Sequence, residues 1–535
     1  MVLHLVVIMV LLVSPIMPLY HNSVCKEGSK MECDDAPLVP GHTLLAGGID
    51  IVTMKHMEAF LLDMTEYMKN SRCTLCKDPQ HNAKWWKLPR ALEGWKYHGP
   101  CKTEIESKTL RSTVSMAKEA ASIVQNKWDM MNLTSATTQG SLLLAGSHSK
   151  ITEFALEKCH FDKYTFIQHQ LECELYSFQL SKDYEVSHHF MEALEQLPGD
   201  YNANTKVSYF NLISTYGTHF ISKATIGGRA QEIAAVRTCE VALSGMTMEQ
   251  TKGCLDEEVA TAVHNMGSPS LGSKECADLA VKYNFIRNFH QAFSERIWQV
   301  TGGNSTFNLL DINAGANQDA ATRWINSTER FPDLLRYSLI PIDALLDSES
   351  PEKYNLKMAI RDYIKEKSMN LRCPCPEKAH LDQTETCTCS CPPSQYTNSD
   401  CCPTVKGLAT LKVKINYALY LTGDLLAADG YVKFFFDILE KKSRTLWNTQ
   451  NPMWNEWLDF GTVVLSPEKK YRLEVWDEDF ISRDDLIFDC EGSLTAGNTE
   501  NIRCSFGRMV TYFSLYVTCG PYLHGQFCEK HYRAA

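Results

Sequence analysis

The sequence predicts an α+β protein with several domains, on the basis of three observations along its 535 residues. From Cys25 to about Leu371, helical periodicity alternates with short β-rich runs. Seven cysteines then fall between Cys373 and Cys402. From Leu408 to about Cys519, apolar residues alternate with polar ones and β-branched and aromatic residues are frequent, a pattern typical of a β-sandwich. A chain of this length can form about two to four domains around a large core.

The N-terminus carries an apolar run from Val2 to Val13 that is too short to cross a bilayer as a helix. Its length is typical of a signal peptide, which we place at residues 1–20. The 21 cysteines also favour an oxidising, secretory route. The same route is indicated by three acceptor sequons for N-glycosylation, at Asn132, Asn304 and Asn326. We therefore expect a secreted protein.

The formal net charge of −11, without a long basic run, argues against a nucleic-acid partner. The odd number of cysteines predicts one unpaired thiol or an intermolecular bond. Cys73 and Cys76 have a spacing that also occurs in redox and zinc sites, but in a secreted chain structural disulfides are the favoured interpretation. Near the C-terminus, Cys490 with Cys504 and Cys519 with Cys528 are candidate local pairs.

Within the first region, Val207–Ile213 is predicted as a helix that leads into Tyr216-Gly-Thr-His-Phe220. Ala224–Val236 is predicted as a strand interrupted by Gly227 and Gly228. Two glycines weaken a strand and permit a sharp bend, so the pair is either a hinge or a bulge in a static sheet. His219 is interpreted as a structural hydrogen-bonding residue because no nucleophile accompanies it, and no catalytic residue is predicted.

The cysteine-dense stretch is too rich in cysteine to build an apolar core, so disulfides must hold it together. It resembles an epidermal-growth-factor-like (EGF-like) module, which we place at residues 372–405. The following domain is placed at 406–520, and residues 521–535 are expected to be a polar tail.

Six aspartates are predicted to converge between two loops of the last domain. They are Asp424, Asp429, Asp477, Asp479, Asp484 and Asp485. So many carboxylates repel one another unless a divalent cation neutralises them, and Ca²⁺, with its six to eight oxygen ligands, suits such a set better than Mg²⁺. The alternative is a solvated acidic turn.

This pattern, together with Asn451-Pro-Met-Trp-Asn455, resembles a C2 domain, a calcium-dependent lipid-binding sandwich. The same two loops carry apolar residues where a water-exposed loop would carry polar ones. They are Leu425, Leu426, Phe480 and Ile481. Either they are buried locally, or they enter a bilayer once calcium is bound. Each buried side chain would contribute about 1.5–3 kcal/mol.

Four segments of the first region together resemble the membrane-attack-complex/perforin family. They are Tyr216–Phe220, Gly227-Gly-Arg229, Arg237-Thr-Cys-Glu240 and Leu345-Leu-Asp347. The resemblance implies that residues 21–371 form a bent central antiparallel sheet with two flanking helical clusters, near Ser149–Gln168 and Met246–Gly302. It also implies that Gly227 and Gly228 form the hinge of the sheet.

In this family the clusters unfurl into β-hairpins, and many subunits close a transmembrane barrel. A disulfide at Cys159 would hinder unfurling of the first cluster, so Cys159 is the candidate unpaired thiol. Cys254 and Cys276 can pair within the second cluster without blocking its release. The periodicity of Ile151, Phe154 and Ala155 fits a helix face, which is the soluble form of that segment.

The resulting hypothesis is a non-enzymatic, calcium-dependent cytolytic protein of immunity. It would be stored in a cytolytic granule, bind phospholipid membranes, assemble into a homo-oligomeric ring and insert a pore into the target-cell membrane. Granule proteases are potential cargo of that pore. The alternative is a non-lytic, calcium-dependent membrane-binding protein of adhesion or signalling. A lipid-processing enzyme is disfavoured because the chain has no recognisable nucleophile–base set.

Overall fold

The computed structural model describes the following residues: 24–77, 84–101, 104–125, 140–143, 145–264, 276, 278–279, 294–304, 318–372, 375, 379–381, 388–423, 427–479 and 483–531. Several predicted features lie outside this set. They are the leader at 1–20, the sequon residue Asn132, and the loop residues Asp424, Leu425, Leu426, Phe480 and Ile481.

The described helices are α1 Lys30–Asp35, α2 Thr113–Ala121, α3 Lys150–Phe161, α4 His188–Glu195, α5 Lys206–Tyr216, α6 Thr238–Leu243, α7 Met248–His264, α8 Gln318–Thr328 and α9 Pro351–Lys367. Local sequence explains their ends. In α9, for example, Ser350 caps the first turn by accepting a hydrogen bond from the Lys353 N–H, Pro351 occupies the first helical position, and Lys365 lies in the last turn.

The first part of the chain contains the strands β1 Val24–Ser29, β2 Gly47–Asp50, β3 Lys55–Phe60, β4 Leu62–Asp63, β5 Arg72–Lys77, β6 Trp85–Leu88, β7 Leu92–Tyr97, β8 Ile105–Leu110, β9 Gly140–Leu143, β10 Tyr164–Leu180, β11 Glu185–Val186, β12 His219–Arg237, β13 Ser294–Thr301, β14 Asp333–Pro341, β15 Met369–Arg372, β16 His380–Leu381 and β17 Cys389–Ser390. The last part contains β18 Leu408–Leu419, β19 Gly430–Phe436, β20 Leu439–Lys442, β21 Met453–Val464, β22 Lys470–Asp477, β23 Asp485–Ser493, β24 Gly497–Phe506, β25 Met509–Cys519, β26 Leu523–His524 and β27 Lys530–His531.

Two long antiparallel strands, β10 and β12, form the middle of an eight-stranded sheet. Their outer neighbours change at the level of the glycine pair. Along β12, β14 pairs as far as Gly227 and β13 pairs from Arg229 onward. Along β10, β8 pairs as far as Leu171, and β7 pairs from Tyr176 onward. Within the described residues, β10 and β12 are therefore the strands that connect the two halves of this sheet.

The glycine pair does not interrupt the strand as the sequence predicted, because β12 continues through it opposite Cys173 and Glu174. Close packing explains the residue type. A Cβ on Gly227 would overlap the carbonyl oxygen of Cys173, and a Cβ on Gly228 would overlap Thr328 and lie 2.9 Å from Trp324 Cζ2. The irregularity in pairing falls on β10 instead, between Glu174 and Tyr176.

The two helical clusters pack on opposite faces of the central sheet. Ile151 and Ala155 of α3 are buried in one hydrophobic core with Phe166 of β10. Leu255 of α7 is buried in a separate hydrophobic core with Ile167, the next residue along β10. Successive residues of a strand point to opposite faces, so α3 and α7 lie on different sides. Both predicted clusters extended too far, because the first includes the start of β10 and the second includes β13.

Disulfides connect the regions as well as stabilising each of them. The described pairs are Cys25–Cys76, Cys33–Cys73, Cys101–Cys173, Cys239–Cys402, Cys254–Cys276, Cys375–Cys389, Cys391–Cys401, Cys490–Cys504 and Cys519–Cys528. The predicted pairs near the C-terminus and in the second cluster are confirmed. In the described part of the chain, Cys159 forms no disulfide, and burial raises the pKa of its thiol.

The cysteine-dense module is held by internal disulfides, as predicted, and is also bonded to the first region. Cys402 bonds to Cys239 of α6, which follows β12 directly. Lys163, just before β10, donates a hydrogen bond to the carbonyl of Asp400. The module is therefore attached to the end of the central sheet where β10 begins and β12 ends.

The last domain is a sandwich of two four-stranded sheets, with strand orders β21-β18-β25-β24 and β20-β19-β22-β23. Val413, Phe434 and Phe513 have no exposed surface and lie in the core between the sheets. This confirms the sandwich predicted from alternation. Among the described residues, no helix is long and apolar enough to cross a membrane.

Candidate metal site

The predicted acidic residues that the structure describes lie at one end of the sandwich. Asp477 ends β22 and faces Asp485, which begins β23. Asp429 immediately precedes β19, whose first residue, Gly430, pairs with Asp477 on its other side. Strand register therefore brings together residues that are about 50 positions apart in the sequence.

Asp477 lies in the middle of the acidic end of the sandwich. It is 8% exposed, and its Oδ1 accepts a hydrogen bond of 2.6 Å from the backbone N–H of Asp429. Asp429 in turn accepts from the N–H of Asn448 at 2.5 Å. A Cβ on Gly423 would overlap Asp477 Oδ2, so the loop between β18 and β19, here called the first loop, approaches this carboxylate closely. The first loop therefore packs directly against this buried carboxylate, and Asp429 connects that loop to Asn448 of the loop between β20 and β21.

Asp484 has a supporting geometry. Its Oδ2 accepts a 2.6 Å hydrogen bond from the hydroxyl of Tyr431, and its Oδ1 accepts a 3.3 Å bond from the Asp479 N–H. The Tyr431 hydroxyl lowers the pKa of Asp484, and that backbone N–H lowers it further. Because both of its oxygens accept hydrogen bonds, the Asp484 carboxylate orients the loop between β22 and β23, here called the third loop.

The described residues contain no group of three or more His, Cys, Asp or Glu side chains placed closely enough to hold a metal ion. Asp424, the predicted ligand on the first loop, lies outside that set. The donor chemistry nevertheless fits Ca²⁺. The residues gathered here are carboxylates at strand and loop ends, which is the type of oxygen donor that Ca²⁺ takes.

Large apolar residues that were not predicted from the sequence lie at the same end of the sandwich. Trp447, on the loop between β20 and β21, is 52% exposed and precedes Asn448. Further exposed residues lie where neighbouring strands begin or end, namely Tyr420, Met453, Leu486 and Phe506. An isolated tryptophan before an Asn-Pro turn could have indicated a loop tip, but strand order was needed to place it beside the aspartates.

The Tyr216–Phe220 segment has a structural role. Gly217 adopts a φ of 86° and ends α5. The Thr218 hydroxyl accepts a hydrogen bond from the Ile51 N–H and donates one to the Ile49 carbonyl, each 3.0 Å long. His219 is fully buried, with its Nδ1 2.8 Å from Thr218 Oγ1, and burial lowers its pKa to about 3. The Thr218 hydroxyl therefore joins this segment to β2, and the neutral, buried imidazole of His219 packs against that hydroxyl.

The asparagines of two of the three sequons lie in the described part of the chain. Asn304 and Asn326 are both exposed, and they are close in space because the Asn304 N–H donates a 2.8 Å hydrogen bond to Ser327 Oγ. Glycosylation at either position stays a prediction.

Comparison with known proteins defines the family. A model of the MAC/Perforin domain matches residues 39–372, and a C2-domain model matches residues 409–504. The chain belongs to the membrane-attack-complex/perforin family. Perforin-1 of Homo sapiens is 35% identical over 94% of this chain and 92% of its own length. Perforin-1 of Mus musculus is 34% identical over 95% and 93%, respectively.

A third family member aligns with a smaller part of the chain. Complement component C6 of Bos taurus is 24% identical over 47% of this chain and 28% of its own length. The two Perforin-1 alignments therefore extend over nearly the whole chain, with its MAC/Perforin and C2 parts in the same order, whereas the C6 alignment covers about half of it.

Proposed function

We propose that this chain is a secreted, calcium-dependent pore-forming protein that lyses target cells in immunity. The observation that carries the proposal is the pairing of two parts in one chain: a sheet flanked on both faces by helical clusters, and a sandwich with carboxylates and apolar residues at one end. The sheet and its helical clusters would supply the segments that form a pore, and the sandwich would bind the protein to a membrane. Both are expected to act without enzymatic chemistry.

Membrane binding would begin at the metal site. Asp429, Asp477, Asp479 and Asp485 would hold Ca²⁺ with Asp424, while Asp484 would keep the third loop in place. Calcium would neutralise the acidic end and let Trp447 enter the bilayer together with Leu425, Leu426, Phe480 and Ile481. Protonated carboxylates bind calcium poorly, so acid in a granule would keep the protein inactive.

Pore formation would follow on the membrane. Subunits would form a ring, the clusters on either side of the sheet would open, and their chains would extend β10, β12 and β13 as hairpins into a transmembrane barrel. Gly227 and Gly228 would serve as the hinge, because β10 and β12 link the two halves of the sheet there. Granule proteases are proposed to pass through the finished pore.

The proposed domain limits are a signal peptide at 1–20, the pore-forming domain at 21–371, the EGF-like module at 372–405, the C2 domain at 406–520 and a tail at 521–535. The second candidate function is a non-lytic, calcium-dependent membrane-binding protein of adhesion or signalling. The Cys239–Cys402 disulfide gives that alternative some support, since it holds one end of the second cluster to the EGF-like module.

The deciding experiment measures dye release from phospholipid vesicles with calcium and with excess chelator, and images the same samples by electron microscopy. Dye release and rings that both require calcium are expected. Calcium-dependent sedimentation with vesicles, without leakage or rings, would contradict pore formation and favour the adhesion alternative. Leakage that persists in chelator would contradict the calcium trigger.

Replacing Trp447 with alanine is expected to weaken calcium-dependent vesicle binding by about tenfold or more, since burial of a large apolar side chain in the bilayer contributes about 1.5–3 kcal/mol. Trp457→Ala is the matched control. Its indole is equally exposed, at 51%, but lies on β21 against Tyr516 rather than at the loop end. Equal losses in the two variants, measured by vesicle sedimentation, would argue against insertion of Trp447.

A further inference from the structure

On the face of the central sheet beneath α7, two ionisable side chains are buried among apolar ones. On β10, Ile167 and Leu171 are buried against the second helical cluster. Between them lies His169, which is 1% exposed. Across the strand pair, Glu232 of β12 has no exposed surface. Two ionisable groups thus occupy positions on this face where apolar side chains would pack without a desolvation cost.

His169 bridges the sheet and the helix. Its Nε2 lies 2.8 Å from Oδ1 of Asp256 on α7, and its Nδ1 lies 3.6 Å from Oε2 of Glu232. Asp256 also accepts a 2.7 Å hydrogen bond from the Ser107 hydroxyl of β8. Because Asp256 is on the cluster while the other groups are on the sheet, this contact holds one against the other.

The remaining charges around the imidazole come from two elements. Arg296 of β13 forms an ion pair with Glu232, and Lys252 of α7 lies 2.5 Å from Asp256 Oδ2. Each carboxylate therefore has a permanent cation of its own. The proton on His169 is the charge of this group that can change near neutral pH.

The protonation state of His169 follows from competing effects. Burial by itself lowers the pKa of His169, but the hydrogen bond to Asp256 and the negative charges of Asp256 and Glu232 outweigh burial and raise that pKa above the ordinary 6.5. A raised pKa in the closed protein means that protonation stabilises the closed form. That stabilisation is complete below the ordinary pKa and is lost as the pH rises through the raised one.

We propose that His169 and Asp256 form a proton-dependent latch, which holds α7 on the central sheet in acid and weakens when His169 loses its proton. The latch is separate from the metal site, so acid would restrain the protein at two places, one governing attachment and the other opening. Its role in restraining pore formation rests on the proposed function, whereas its effect on α7 does not.

The latch can be tested on the full-length protein without a membrane. Hydrogen–deuterium exchange of α7 is measured at about pH 5.5 and about pH 7.4, with the intrinsic pH dependence of exchange removed. We expect α7 to open about threefold or more less often in acid, because a shift of one pKa unit corresponds to tenfold in a coupled equilibrium. In His169→Gln this difference should vanish, while α3 exchanges as in the wild type.

Two further variants, Asp256→Asn and His188→Gln, are measured beside His169→Gln. His169→Gln leaves Glu232 with Arg296 and Asp256 with Lys252, so the variant is expected to fold. Asp256→Asn removes the same charge pair from the helix side and should give the same result. His188→Gln is the matched control, since that side chain is 81% exposed on α4.

The outcomes separate the latch from the proposed function. Protection of α7 that does not depend on pH in the wild type, or that keeps its pH dependence in His169→Gln or Asp256→Asn, overturns the latch. Vesicle leakage is measured in parallel. If leakage is absent at every pH but the exchange difference is present and lost in the variants, the latch stands and the pore-forming proposal fails.

Discussion

Gly227→Ala is expected to lower the free energy of unfolding by about 3 kcal/mol or more, one of the largest effects of any single substitution in this chain. The added Cβ would overlap the carbonyl oxygen of Cys173 and lie 3.1 Å from the N of Leu175. Both are backbone atoms of β10, so relief requires the two long strands to separate. Thermal or denaturant unfolding of purified protein measures the effect.

Gly199→Ala is the control, because a Cβ there meets nothing within 4 Å. It should change stability by less than about 0.5 kcal/mol. A Gly227→Ala variant as stable as this control would contradict the close approach of the strands.

The neighbouring glycine should behave differently. A Cβ on Gly228 meets side chains, Thr328 and Trp324 of α8, rather than backbone. Gly228→Ala is therefore expected to be less damaging than Gly227→Ala and to be partly rescued by Thr328→Ser, which removes the overlapping methyl group. Rescue would show up as a favourable coupling energy of about 0.5 kcal/mol or more in a double-mutant cycle.

The second large effect is expected at the metal site. Asp477→Asn combined with Asp479→Asn should weaken calcium-dependent vesicle binding by about 100-fold or more, since carboxylate charges set calcium affinity over several decades. The fold should survive, because an amide oxygen at position 477 can still accept the Asp429 N–H. Calcium titration calorimetry and vesicle sedimentation measure the change, and unfolding temperature monitors the fold.

Asp489→Asn provides the matched comparison in the same domain, because Asp489 is exposed on β23 away from the loops. Its binding should stay within about twofold of the wild type, as expected of a surface substitution. Full calcium-dependent binding by the double variant would remove Asp477 and Asp479 from the ligand set, whatever the activity of the protein in lysis.

Both predictions depend on register, which the sequence indicated only in part. The alternation of apolar and polar residues in β18, β19 and β22 predicted these strands and the sandwich that they form. The sequence also marked Asp477 as a ligand candidate. It did not distinguish Asp484, whose oxygens are engaged by Tyr431 and Asp479, because that depends on which strand lies beside the third loop.

Periodicity was similarly informative about the helical clusters. The spacing of Ile151, Phe154 and Ala155 indicated a helix, and α3 is that helix. The limits of both clusters were wrong because β10 and β13 continue the sheet into them. No sequence pattern distinguished His169, since its partners Glu232 and Asp256 are more than 60 positions away.

The sequence by itself determined the kinds of parts in this protein and their order, because periodicity, cysteine density and acidic loops are local properties of the chain. The family resemblance made Cys159 the candidate unpaired thiol, and among the described residues Cys159 forms no disulfide. Only the tertiary structure decided that α3 and α7 occupy opposite faces of one sheet, that Cys402 reaches out to Cys239, and that the glycine pair is enclosed by Cys173 and α8. Each of these depends on contacts between distant segments, which strand register and packing select and no local pattern encodes.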